Sequence, residues 1–470
     1  MPTLSECVAG FITGLKFKQL PSFVVSTAKE LVLDHLGVAA FGATTVWGRI
    51  VADTVRPSGG KQESSIYFTD DKLPAANAAL VNGTFAHGFE LDDHYLGAHS
   101  GCVVIPAAIA IGEREAADGR TLVTAIASGY EILARLAMTM RHISDRGHHT
   151  TGTLGPFGSV VAAGKLLGLD AKRFVSAIGI AGNFPSGVCE FYRGTMEKRV
   201  FAGRASESGI LAALLAQRGL TGAKTIFEGK VGFCHAFSDD VDLKKLGAGL
   251  GKKFHTDKVF LKRYPCAGTN HPHIDAALSL YEKHRDVLCR RENVREVLIE
   301  GGKRYRGKDI LNPRRIALDI GGVMAAQYSI PYAVIVTLCR GRPGVEDFSE
   351  QALRDQAVRS LLRRCKVVKH DRFSGMGKIT VRFRDGGVIS APVVDTNLPI
   401  AKTNKEAVVG KFLDLTSSVF TREQAEKVIE TIDRLEHLRD VRRLTEMIVS
   451  ERLGSKKEPI AAARAGGRVY

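Results

Sequence analysis

"FVVSTAKELVLDHLGVAAFGA", residues 23–43, spaces its apolar residues three and four apart and runs into Gly-rich sequence. That is the pattern of an amphipathic or buried helix. The same spacing recurs in "LPAANAALVNGTFAHGF" (73–89), "VIPAAIAIGEREAA" (104–117), "TLVTAIASGYEILARLAMTM" (121–140), "FGSVVAAGKLLGLD" (157–170) and "SESGILAALLAQRGL" (206–220). Ala and Gly dominate these segments, so the helices can approach one another closely. A large all-helical domain is expected over residues 1–268.

The period changes after about residue 265. "VREVLIE" (294–300) alternates like a strand, and "KITVRFRDGGVISAPVV" (378–394) holds two alternating runs around Asp385-Gly386-Gly387, a hairpin signature. Between them, "DIGGVMAAQYSIPYAVIVTLCRG" (319–341) predicts a helix interrupted at Pro331. An α+β domain is expected over 269–400. "KEAVVGKFLDLTSSV" (405–419) and "REQAEKVIETIDRLEHLRDVRRLTEMI" (422–448) return to helical spacing, so residues 401–454 are expected to pack back on the first domain. The tail 455–470 has too little apolar patterning to promise order.

The 470 residues exceed one ordinary core of about 150 residues. A hydrophobic fraction of 44% and a charged fraction of 25% are those of a globular chain, not a disordered or fibrous one. "MPTLSECVAGFITGLKFKQLP" (1–21) lacks the layout of a signal peptide, and no stretch reaches roughly 18 uninterrupted apolar residues. A cytoplasmic protein with no membrane partner is expected. The eight cysteines form no C-x-x-C pair, which argues against a zinc knuckle, redox dithiol or disulfide framework and predicts small buried hydrophobes. The net charge of +16 is dispersed and not interleaved with aromatics. It predicts no nucleic-acid partner and instead a field that concentrates a small anionic substrate.

Four segments carry candidate chemistry. "HGFELDDHYLGAHSG" (87–101) gathers three acids and three histidines; here Glu90, Asp92 and Asp93 could equally cap a helix. His94 and His99, five apart, would face different sides of a helix and clamp a metal poorly. "RGHHTTGTLGPFGSVVAAGKLLGLD" (146–170) leads glycines and hydroxyls into a helix start that could receive an anion. It is no phosphate loop, because five residues separate Gly158 from Gly164 and Leu166 follows Lys165. His149 there is a capping histidine or a proton carrier.

In "GTMEKRVFAGRASESG" (194–209), Lys198 and Arg199 stand at a helix start, where the dipole disfavours a cation unless an anion joins it. In "FLKRYPCAGTNHPHIDAALSL" (260–280), Lys262 and Arg263 precede Pro265. His271 and His273 form a His-x-His pair, but Pro272 intervenes and no strand pattern surrounds them, so no metal is expected. Together these segments suit proton transfer next to a carboxylate: cations hold the acid, and imidazole or carboxylate moves the proton. The chain has no Gly-x-Ser-x-Gly elbow, no dinucleotide fingerprint and no four-ligand metal pattern, so cofactor-free acid–base chemistry is the economical inference.

In order and spacing, "FVVSTAKELVLDHLGVAAFGA", "HGFELDDHYLGAHSGCVVIPAAIAIGE", "GHHTTGTLGPFGSVVAAGKLLGLD", "EKRVFAGRASESGILAALLAQRGLTGAKTIFEGKVGF", "KRYPCAGTNHPHIDAAL" and "AAQYSIPYAVIVTLCRG" resemble the MmgE/PrpD family as far as about Phe412. That family includes 2-methylcitrate dehydratase, cis-aconitate decarboxylase and iminodisuccinate epimerase. The resemblance implies a helical main domain, completed by C-terminal helices, and a smaller α+β lid domain. It further implies a homodimer whose active site lies between the domains without metal or organic cofactor.

By motif, Glu90, His99, His149, Lys198 and Lys262 stand at family site positions. The likeness implies that Lys198 and Lys262 engage substrate carboxylates with Arg263 assisting, that His149 and His99 act as acid and base, and that Glu90 or Asp93 orients or shares a proton. Arg199, His94, His271 and Thr151 complete the candidate binding set. The chain departs from the family pattern at His94 (often Thr), Ser100 and Thr150 (usually Pro), and in "DTNLPIAKTNKEAVVGKF" (395–412). A lyase for a di- or tricarboxylic acid is expected, first a hydro-lyase for a 2-methylcitrate-like hydroxy acid. An epimerase or decarboxylase on the same scaffold and a non-catalytic anion or nucleic-acid binder are the rivals.

Overall fold

Nine helices of ten residues or more build the N-terminal part in chain order: α1 (Leu4–Gly14), α2 (Ser22–Ala43), α3 (Val46–Val55), α4 (Ala75–Ala86), α5 (Gly101–Arg114), α6 (Gly119–Thr139), α7 (Thr150–Leu166), α8 (Ala171–Ala181) and α9 (Lys198–Gln217). The computed structural model describes residues 1–301, 322–369, 376–450 and 452; the predicted flexible tail lies outside these. A two-rung ladder, β1 (Ser64–Ser65) with β2 (Lys72–Leu73), precedes α4. The fold is mainly helical with a smaller α+β portion, as the periodicities predict.

The starts of these helices follow from local chemistry. The side chains of Thr3, Thr45, Asp118 and Asp170 each accept a backbone N–H from the first turn of the helix that follows, which satisfies donors the helix itself leaves unpaired. Further stability comes from burial. α5 and α7 are buried along nearly their whole length, each around an internal proline, Pro106 and Pro156. α6 is long and apolar enough to cross a bilayer, yet 89% of that apolar window is buried inside the protein. It also carries a sealed ion pair, Arg135 Nε to Glu131 Oε1 at 2.6 Å.

Small residues set how closely α9 approaches its neighbours. A β-carbon at Gly203 would come within 2.1 Å of the Leu80 carbonyl oxygen on α4, and one at Gly209 within 1.8 Å of Ser159 Oγ on α7. The Gly- and Ala-rich pattern therefore has a specific use: it lets α9 lie wedged between α4 and α7.

Four further strands form one sheet in the order β4-β3-β5-β6. β3 (Val294–Gly301) is central, parallel to β4 (Cys365–Lys369) and antiparallel to β5 (Gly377–Phe383), which pairs antiparallel with β6 (Val388–Val393). The expected hairpin is present. Gly386 turns it at φ 92°, and the Asp385 carboxylate accepts the Gly387 N–H at 2.9 Å. Val297 and Ile299 are buried in the period of two that the sequence shows, and Val294 is buried across a register shift between Val294 and Glu296.

The helix interruption near Pro331 falls earlier than expected. One helix covers Gly322–Gln327 and the next Ile330–Arg340, with Pro331 in its first turn, where no hydrogen bond is lost, and Ser329 as its cap. The expected helix over 422–448 is likewise broken, into Arg422–Asp433, a short turn at Leu435–His437 and Arg442–Met447. The helix Lys405–Thr416 lies against α2, where Phe412 fills the space beside Gly37. Its Lys411 binds Asp34 Oδ1 at 2.6 Å and the Leu91 carbonyl at 2.7 Å. One hydrophobic cluster runs through all of these parts, from Val8 to Ile448. Cys102, Cys234, Cys266, Cys339 and Cys365 are buried as expected, whereas Cys289 is exposed.

Gly203→Ala should destabilise the protein by about 1–3 kcal/mol, because the atom nearest the added methyl is the Leu80 carbonyl oxygen, held by the backbone of α4. Equilibrium urea unfolding checks this through a lowered midpoint with an unchanged slope.

Candidate active site

The loop between α4 and α5, residues 87–100, is not helical, so the expectation that His94 and His99 face different sides of a helix is corrected. Their ring centroids are 5.5 Å apart. Antiparallel bridging of His94 with Phe260 ties this loop to the segment that carries Lys262. Glu90 has a left-handed φ of 57°, uncommon for a residue with a side chain, and its carboxylate supplies the compensation.

Glu90 Oε1 accepts from Lys198 Nζ and, at 3.1 Å, from both Arg199 Nη1 and the Tyr328 hydroxyl. Oε2 accepts from Lys262 Nζ at 2.9 Å. Glu90, Lys198, Arg199 and Lys262 are each 1% exposed. Burial alone would raise the Glu90 pKa, but Lys198, Lys262 and Arg199 hold it well below the usual carboxylate range. The anion that a lysine at the start of α9 calls for is thus an internal carboxylate.

The two lysines respond oppositely to this environment. Burial, with Lys262 and Arg199 nearby, pulls the Lys198 pKa down despite Glu90. At Lys262 burial acts in the same direction, but Glu90 and Asp92 outweigh it and the pKa rises. Arg199 is further fixed by the Gln327 side-chain oxygen and by the Trp47 ring, 5.3 Å from its guanidinium carbon. Gln327 in turn donates to the Phe89 and Pro265 carbonyls at 3.0 Å each.

Imidazoles line the other side. His149 is the N-cap of α7, its Nδ1 accepting the Gly152 N–H at 3.3 Å, with its ring between Phe191 and Phe201. The rings run on from His149 to His87 at 5.9 Å and from His87 to His99 at 4.9 Å. Thr151 accepts the His99 backbone N–H at 3.0 Å. His271 lies between Phe260 and Tyr264, with neither ring nitrogen hydrogen-bonded among the described residues. Burial is the main cause that lowers the pKa of His149, His99, His94 and His271, and it brings His87 down to about 3. These rings are held neutral.

Two residues proposed from sequence are engaged elsewhere. Asp93 Oδ1 accepts the Gly101 N–H at 2.7 Å and Oδ2 accepts the Tyr130 hydroxyl at 2.8 Å, so this carboxylate holds the start of α5 in place of sharing a proton with the histidines. Arg263 is 38% exposed and pairs with Asp275 at 2.7 Å, outside the cluster of cations around Glu90. The carboxylate that does meet the imidazoles is Asp92, with Oδ2 2.7 Å from His87 Nδ1 and 2.9 Å from His99 Nδ1.

The sequence reading missed roles for Asp92, His87, Gln327 and Tyr328. Asp92 and His87 sat inside the quoted 87–101 motif, whereas nothing in the pattern distinguished Gln327 and Tyr328 from helix residues. His87, Asp92 and His99 form the one group among the described residues whose potential ligand atoms all lie within 4.8 Å. Lys262, 3.8 Å from Asp92 Oδ1, already places a positive charge beside that carboxylate. His271 and His273 do not form a clamp: they lie in the first turn of the helix His271–Lys283, and His273 Nδ1 lies 3.1 Å from the Thr269 carbonyl.

The MmgE/PrpD N-terminal domain matches residues 6–246 and the MmgE/PrpD C-terminal domain matches residues 264–437. The chain belongs to the MmgE/PrpD family. Among its relatives, a cis-aconitate decarboxylase-like protein of Aspergillus oryzae is 26% identical over 94% of this chain and 97% of its own. The cis-aconitate decarboxylase of Aspergillus terreus is 26% identical over 94% and 95%, and that of Mus musculus 26% over 95% and 94%. Family membership and these relatives make this protein an enzyme of the lyase type.

Burial, reinforced by Asp34 and Asp92, pushes the Asp93 pKa up to about 7 against the Tyr130 and Gly101 hydrogen bonds. A folded-state pKa above the unfolded one means that this contribution to stability is complete at low pH and is lost as pH rises through about 7. Asp93→Asn should therefore gain stability relative to the parent between about pH 5 and about pH 8. Urea unfolding at the two pH values checks the sign.

Proposed function

We propose that this lyase moves a proton at the carbon next to a carboxylate of a di- or tricarboxylic acid, dehydrating a 2-methylcitrate-like hydroxy acid or running the reverse hydration. One observation carries the proposal: Lys198, Arg199 and Lys262 converge, buried, beside imidazoles that burial keeps neutral. Three fixed cations face two carboxylates, Glu90 and Asp92. The remaining positive charge favours an anion. A lysine on a substrate carboxylate stabilises the enolate-like charge that forms as the neighbouring proton leaves, and does so strongly where water is excluded. A neutral imidazole can accept that proton. Because the cations are 1% exposed, a substrate reaches them only when part of the wall moves aside.

Decarboxylation of a cis-aconitate-like tricarboxylate is the second reading, supported by the names of the relatives. There carbon dioxide leaves in place of the proton, and an imidazole returns a proton to the carbon. Incubation with citrate, 2-methylcitrate, cis-aconitate and iminodisuccinate in deuterated water, followed by NMR, separates the cases. Loss of water supports the first, loss of carbon dioxide the second, and deuterium exchange without either an epimerase. No turnover on any acid, together with tight and steeply salt-dependent nucleic-acid binding, would point to a non-catalytic binder.

Lys198→Met and Lys262→Met should each lower kcat/KM by about 100-fold or more. Glu90 keeps two cationic partners in either variant, so circular dichroism should show the native fold. Activity within about threefold of the parent in both would refute the assignment of the cations.

A further inference from the structure

Asp92 is 2% exposed and stands between two rings. Its Oδ2 lies 2.7 Å from His87 Nδ1 and 2.9 Å from His99 Nδ1, and its Oδ1 faces Lys262 Nζ at 3.8 Å. Burial alone would raise the Asp92 pKa, but His99, His87 and Lys262 hold it well below the usual range, so it is a carboxylate. A carboxylate only accepts hydrogen bonds. An Nδ1 that meets it therefore carries the proton, and a neutral ring then keeps its lone pair on Nε2. The His87 contact is an aligned hydrogen bond; the His99 N–H lies off line, and no other described group bonds that nitrogen.

His149 has the opposite arrangement. Its Nδ1 accepts the Gly152 N–H, so its proton sits on Nε2. Two imidazoles of one site are thus held in complementary states, one with its lone pair free and one with its N–H available.

We propose that Asp92 is a positioning residue that fixes His99 as the proton acceptor, opposite His149 as a neutral hydrogen-bond donor, with His87 as the second ring that holds the carboxylate in place. What the proton is taken from rests on the lyase reading above; the tautomers do not. In the step, the C–H bond next to the substrate carboxylate breaks and its proton goes to His99 Nε2. The electron pair enters the enolate form of the carboxylate, beside Lys198 and Lys262. The new imidazolium pairs with Asp92, and His149 Nε2–H donates to an oxygen on which negative charge gathers.

Nitrogen-15 NMR of the histidine rings in the full chain, with and without Asp92→Asn, tests this. His99 and His149 are picked out among the 14 histidines by loss of their signals in His99→Gln and His149→Gln. The expected parent spectrum shows His99 protonated at Nδ1 and His149 at Nε2. In Asp92→Asn, whose amide can donate, His99 should shift toward the other tautomer, and kcat should fall by about 100-fold or more while KM moves by less than about threefold.

Protonation of His99 at Nε2 in the parent overturns the proposal, and this spectrum decides the matter even if the variant does not fold. Asp92→Asn with kcat within about threefold of the parent also overturns it. So does stoichiometric uptake of zinc or cobalt that Asp92→Asn abolishes, since the cluster would then be a metal site. A parent inert toward every acid in the panel overturns the lyase reading alone, and the ring spectra still decide the role of Asp92.

Discussion

The Glu90 carboxylate is the point on which the site closes. It draws ammonium and guanidinium groups from the start of α9, a second ammonium from the segment after Val259 and a hydroxyl from Tyr328, four donors that lie 108 to 238 residues from it along the chain. Charges buried this deeply contribute little net stability, because desolvation offsets their attraction; loss of one partner, by contrast, is costly. Their retention in a sealed interior therefore reflects positioning. The left-handed backbone at Glu90 is part of the same constraint, a conformation that persists because the surrounding ion pairs over-determine it.

Chemistry at the site is differentiated by surroundings more than by residue type. Lys198 and Lys262 are both buried lysines on the same carboxylate, yet burial, with Lys262 and Arg199 nearby, lowers the pKa of Lys198, whereas at Lys262 Glu90 and Asp92 outweigh burial and raise it. Neighbouring aspartates diverge in the same way. Asp92 meets two imidazoles and a lysine and stays ionised, whereas Asp93 meets a hydroxyl, an amide and other acids and holds its proton up to about 7. A single peptide step separates a charged group from one that titrates near neutrality.

Much of this was legible in the sequence because it was carried by period and spacing. The helices α2, α4–α7 and α9 and the hairpin of β5 and β6 follow from apolar repeats and from the Asp385-Gly386 turn. Glu90, His99, His149, Lys198 and Lys262 followed from resemblance, and the structure gathers them. Asp92 escaped because which of two adjacent acids faces the rings depends on the loop's irregular backbone, which has no period. Arg263 followed from the same resemblance, but its guanidinium pairs with Asp275 and not with Glu90, a partner that no spacing in the sequence announces. Gln327 and Tyr328 were hidden for a related reason: the break that turns them toward Glu90 comes before Pro331, at the Ser329 cap, and an apolar repeat does not register it.

Lys411 has a consequence for how the enzyme comes into being. Its ammonium grips the Leu91 carbonyl, between Glu90 and Asp92, from a helix near the end of the chain. During synthesis the earlier helices can associate as they emerge, but the loop bearing both carboxylates lacks this clasp until Lys411, 320 residues after Leu91, has left the ribosome. The nascent protein thus carries the Glu90 and Asp92 carboxylates over that interval without the latch that sets them, so this loop cannot settle before the helix Lys405–Thr416 has emerged.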